Sequence, residues 1–177
     1  MRKILATLCL IIGFNAMGQN KDQILLEKAL ALTETYNLVY NEYYDKLNEE
    51  TTKIFEDAFT KRALEYLNEI ISDYPDSKFY TNALFSKAEL EYMSNDKNAK
   101  SNLQKVLLRS DANKRELSYS NLYLAQIFIA EKDYKSALNY PEKHAQFPGP
   151  TGCGNAIETH WKRIENLRKK CIEGLKN

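Results

Sequence analysis

The chain has 177 residues, with 25 Lys plus Arg against 24 Asp plus Glu, and only six Gly and four Pro. That near-neutral balance removes any electrostatic case for nucleic acid or an anionic membrane surface, and the scarcity of Gly and Pro excludes a linker-rich or low-complexity chain. The length suits one domain with a modest core.

Arg2 and Lys3 form a short basic start, followed by an apolar run from Ile4 to Phe14 that only Thr7 and Gly13 interrupt. Ala16 and Gly18 occupy the small-residue positions expected before a signal-peptidase cut, so residues 1–18 read as a secretory signal and Gln19 as the new N-terminus. A membrane span needs ~20 apolar residues, and this run is too short before the polar Asn20, Lys21 and Asp22. Cys9 lies inside the run with almost no basic region ahead of it, which argues against a lipid anchor. Cleavage leaves 23 Lys plus Arg against 24 Asp plus Glu, in an exported domain spanning 19–177.

From there the apolar residues recur at three and four positions, the period of a helix with one buried stripe. Ile24, Leu25, Ala29, Leu30, Leu32, Tyr36, Val39, Tyr40, Tyr43 and Leu47 mark a long first helix, with Asp22 or Asn20 as its cap. A second runs from about Thr52 to Tyr74 through Ile54, Phe55, Phe59, Ala63, Tyr66, Leu67, Ile70 and Ile71, and Pro75 ends it. Ser77 caps a third to about Ser94; a fourth spans about Asn98 to Leu108, a fifth about Lys114 to Glu131, and a sixth starts at Tyr134 after the Lys132–Asp133 turn. Pro141 falls inside that sixth helix and is expected to kink or shorten it, displacing Glu142 to Phe147. Pro148 to Gly154 form a Gly- and Pro-rich loop, after which Asn155 caps a last helix carrying Ile157, Trp161, Ile164, Leu167, Cys171 and Leu175. No stretch alternates with period two for long enough to argue a strand, so the fold class is all-α.

Small residues repeat at a steady interval. Ala88 to Ala125 is 37 residues, Ala63 to Ala99 is 36 and Ala99 to Ala137 is 38, as expected where paired helices approach closely. Behind the second-helix alanines lie Leu67 and Ile70, then Leu103 and Val106, then Tyr140. Leu124, Ala125, Phe128, Asp133, Tyr134 and Ala137, together with Ala63, Leu67, Ile70, Tyr74, Pro75, Asp76, Ser77, Ala83, Leu84 and Ala88, resemble the tetratricopeptide repeat family in the version found in exported bacterial proteins. The resemblance covers about residues 50–147, and it departs from the family in its longer spacing and in Pro141. It implies a right-handed α-solenoid of about three helix pairs, capped by the last helix, that serves as a non-catalytic protein-interaction module.

Chemistry-bearing motifs are thin. The chain holds no Gly-rich phosphate loop, no nucleophile elbow and no His-Glu pair at metalloprotease spacing, so neither catalytic residues nor a cofactor is expected. His144, Cys153, His160 and Cys171 are a known set of zinc ligands, but within a helix His160 and Cys171 stand roughly 16 Å apart, too far to share one ion. Cys153 and Cys171 flank the last helix at ~27 Å, beyond the reach of a disulfide, so Cys171 is expected as a buried apolar contact and Cys153 as the more reactive thiol. Arg168, Lys169 and Lys170 suit the negative end of that helix rather than a basic binding patch.

In the resembled family the inner faces of the first helices line a groove. By register that implies Asn82, Phe85, Glu89 and Tyr92 from one repeat and Tyr119, Leu122 and Gln126 from the next, with Phe85 and Leu122 equally consistent with inter-repeat core. Aromatic and amide groups suit a peptide or protein partner. The expected role is a scaffold or adaptor of the bacterial envelope. An immunity protein that sequesters a toxin is the alternative within binding, and an enzyme acting on envelope polymers the alternative outside it.

Overall fold

A computed structural model of the chain describes residues 20–43, 48–146 and 154–176. The leader, Cys9, Leu47, Phe147, the loop after it and Cys153 lie outside the described residues, as do the side chains of Tyr40, Tyr43, Phe55, Asn155, Ile157 and His160. Every described element is a helix: α1 Lys21–Tyr43, α2 Glu49–Asp73, α3 Tyr80–Met93, α4 Ala99–Leu107, α5 Lys114–Ala130, α6 Tyr134–Ala137, α7 Asn139–Ala145 and α8 Gly154–Gly174. The chain divides into two compact units between Ala83 and Leu84, within α3.

In the first unit α1 packs against α2, with Leu25, Leu26 and Ala29 buried on one and Ala63, Leu67 and Ile70 on the other. The pairing is antiparallel, because groups at the start of α1 meet groups at the end of α2 and just beyond it. Lys21 Nζ lies 2.7 Å from Glu69, and Ser77 Oγ donates to Asp22 at 2.5 Å. α2 starts three residues earlier than the apolar pattern implies, since the Asn48 side chain accepts from the Thr51 amide at 2.8 Å and caps the helix. Ser77 accepts from the Phe79 amide at 3.0 Å, and the third helix follows from Tyr80. Two residues of the expected apolar stripes do not reach this core. Leu30 is 43% exposed and Ile54 is 61% exposed. Periodicity marks a face, but a two-helix unit covers only part of it.

The second unit is built round α5, which packs on α4, α6, α7 and α8. Ala88, Leu103, Leu124, Phe128, Ala137 and Cys171 form one apolar cluster, and Leu122, Ala125 and Leu167 another. All five alanines of the repeating spacing are buried, at 0–2% exposure. Two helix ends close in the same way 37 residues apart: Asn95 and Lys132 take left-handed φ of 56° and 62°, and the amides of Asp96 and Asp133 bond back to the carbonyls of Glu91 and Phe128 at 2.8 and 2.9 Å. The Asn113 side chain and Glu116 form a reciprocal capping box at the start of α5.

Pro141 acts upstream of itself. A proline at this position offers no N–H to the carbonyl of Ala137 and its ring crowds that group, so the helix breaks at Leu138 and resumes with Pro141 in the first turn of α7, where free amides are normal. Glu142 to Ala145 remain helical rather than displaced, and His144 is buried with Nδ1 2.7 Å from Ser118 Oγ and 2.9 Å from the Ser118 carbonyl. In α8, Ile164, Leu167 and Cys171 are buried at helical spacing, whereas Trp161, and Leu175 just beyond the helix, are about half exposed.

Candidate functional site

The C-terminal part of α3 and the length of α5 bring together four of the residues that the register implies: Glu89, Tyr92, Tyr119 and Gln126. Tyr92 donates to Gln126 Oε1 at 2.7 Å, and all four residues are half-buried. Two further side chains complete the group. The Tyr123 ring stacks on Tyr92 with centroids 4.4 Å apart and meets Tyr119 at 5.8 Å, and its hydroxyl donates to Glu89 Oε1 at 2.7 Å. Arg115 sits over the rings of Phe85 and Tyr119, 5.4 Å from each, with Glu89 Oε2 at 3.7 Å.

Helix geometry explains this gathering. Glu89 and Tyr92 are three apart on α3; Arg115, Tyr119 and Tyr123 recur every four on α5, with Gln126 three further on, so each set shares a face. Both cross-helix hydrogen bonds join residues 34 apart, three short of the 37-residue interval. That pairing of α5 against α3 brings Tyr123 opposite Glu89 and Tyr92. Tyr123 is the residue that the sequence register misses, and its length and aromatic ring were the available signal.

Phe85 and Leu122 are buried at 0% and 2% exposure. Leu122 packs with Ala125 and Leu167 of α8, and Phe85 lies beneath the Arg115 guanidinium, so both belong to the core and neither presents surface to a partner. Asn82 lies on the other side of the division of α3, half-buried in the first unit.

Burial pushes the Tyr123 hydroxyl far above its ordinary value, and the neighbouring Glu89 carboxylate adds to the shift. Burial also raises Tyr92, against which Arg163 of α8 acts in the opposite direction. A cleft of about 330 Å³ opens beside this cluster, lined by Tyr92, Gln126, Ile127 and the segment around Asp96, Lys97 and Lys100. Lys100 pairs with Glu131 at its edge. Among the described residues no group of His, Cys, Asp and Glu is placed to hold a metal ion, and no helix is long and apolar enough to cross a membrane. His144 of the four-residue zinc set is engaged with Ser118, and Cys171 is a buried free thiol raised by desolvation. Comparison with known protein families, curated proteins and solved structures finds no match.

Proposed function

We propose that the chain is a non-catalytic interaction module of the bacterial envelope, an α-solenoid of tetratricopeptide type that takes a protein or peptide partner on the α3–α5 face. The observation that carries this reading is the half-buried tyrosine cluster, Tyr92 stacked on Tyr123 with Tyr119 tilted against it, beside an open cleft. The stacked, hydrogen-bonded pair of Tyr92 and Tyr123 is rigid before a partner arrives, so little entropy is lost when it is covered. Their amphipathic rings bury area while amide and guanidinium groups at the edge satisfy a peptide backbone. The repeated helix ends at Asn95 and Lys132 support a tandem arrangement of helix pairs.

The test compares partner capture from an envelope fraction with thermal unfolding on the same variants. Tyr119→Ala removes a ring whose hydroxyl makes no hydrogen bond among the described residues, and is expected to weaken capture strongly, as loss of an aromatic anchor costs ~2 kcal/mol or more. Tyr92→Phe keeps the stack and loses only the bond to Gln126. Full capture by Tyr119→Ala, or a melting temperature that falls as far as that of a core variant, would overturn the reading.

A further inference from the structure

The two units carry opposite charge. Residues 84–177 hold 16 Lys plus Arg against 11 Asp plus Glu, whereas residues 20–83 hold 7 against 13. The near-neutral whole is therefore an acidic unit joined to a basic one, and the tyrosine face belongs to the basic one.

The hydrogen-bonding state of that face has the same sense. Its acceptors are already engaged internally: Gln126 Oε1 takes the Tyr92 hydroxyl, Glu89 Oε1 takes the Tyr123 hydroxyl, and Glu89 Oε2 faces Arg115. The Gln126 amide nitrogen, a donor, and the Tyr119 hydroxyl, a donor and acceptor, have no hydrogen-bond partner among the described residues. The Arg115 side chain is 63% exposed, and Lys97 in the cleft has no ion-pair partner among the described residues. The acidic groups at the cleft are engaged as well, since Asp96 Oδ1 accepts from the Asn98 amide and Glu131 pairs with Lys100. Exposed cations and a free amide donor in a unit of net positive charge are complementary to anions and carbonyls, and guanidinium groups are the side chains best shaped to take carboxylates.

We propose that the α3–α5 face takes an acidic peptide segment of a protein partner, its Asp or Glu side chains facing Arg115 and Lys97 and its main-chain carbonyls facing the Gln126 amide. This rests on the peptide-binding reading and names the chemistry of the partner. The net positive charge of the unit steers such a segment towards the face, and the tyrosine rings then cover its apolar positions.

The probes are three fluorescein-labelled, C-terminally amidated peptides of one length and one apolar pattern, carrying Glu, Gln or Lys at the polar positions. Anisotropy with the full chain is expected to show tightest binding for the Glu peptide, weakening as salt rises from ~0.05 to ~0.5 M. Arg115→Gln with Lys97→Gln is expected to weaken it by about tenfold or more with the melting temperature unchanged. Preferred binding of the Gln or Lys peptide, lost in Tyr119→Ala, would overturn the acidic preference while leaving the peptide-binding reading intact. Binding of no peptide would overturn both. A single-stranded oligonucleotide bound as tightly as the Glu peptide and insensitive to Tyr119→Ala would show a general polyanion surface and overturn the proposal, as would self-association in light scattering that Arg115→Gln abolishes, which assigns the face to a second copy.

Discussion

At the scale of single residues, the strained and buried positions carry the sharpest expectations. Lys132 holds a left-handed φ of 62° at the end of α5, where a side chain costs conformational energy and glycine does not. Lys132→Gly is expected to stabilise the chain by about 0.5–1 kcal/mol, less than the full strain because glycine also frees the unfolded state. A lower melting temperature would show that the strain is absorbed elsewhere. Tyr123 gives an expectation in pH. Its hydroxyl stays protonated in the folded state at pH values where an unfolded tyrosine, with a pKa of ~10, loses its proton. The folded state then binds more protons than the unfolded one, so this contribution to stability is complete below pH ~10 and falls as pH rises above it. Thermal melts between pH ~9 and ~11 should decline less steeply for Tyr123→Phe than for the parent chain. Equal slopes would place that hydroxyl in contact with water.

At the scale of helices, the alanines set how closely the elements approach. Ala125 sits at 0% exposure with Leu122 and Leu167, so Ala125→Leu overpacks the crossing of α5 and α8 and is expected to cost ~1–3 kcal/mol in urea unfolding. Tyr92→Phe, which preserves ring volume, should cost less. α8 has a second constraint at its far end. A Cβ at Gly174 would come within 2.5 Å of the Tyr134 ring, so Gly174→Ala is expected to push that ring aside and loosen the docking of α8 on α6, read as faster amide exchange in residues 164–174. Unchanged exchange would mean that the ring turns away freely. These expectations separate packing from recognition, because neither Ala125 nor Gly174 lies among the residues assigned to the tyrosine face.

For the whole molecule, the export reading predicts that native protein begins at or near Gln19, and N-terminal sequencing that found an intact Met1 on cytoplasmic protein would end it. The sequence by itself determined the helical class, nearly every helix boundary to within a few residues, and the buried alanines with Leu67, Ile70, Leu103 and Val106 behind two of them. These are legible because helical period, capping residues and small side chains act through neighbours three and four positions away, and such neighbours are read directly off the chain. Where the expectation concerned contacts between elements, the tertiary structure decided. The burial of Leu122 depends on Leu167, a residue 45 positions further along. The pairing of α5 against α3 brought Tyr123 into the cluster, while Leu122 packs with Ala125 and Leu167. Charge followed the same division: counted over the whole chain it cancels, and only the boundary between Ala83 and Leu84 separates an acidic unit from a basic one. Local periodicity specifies which face of a helix is apolar; which neighbour covers that face, and at what offset, is fixed by packing among residues far apart in the chain.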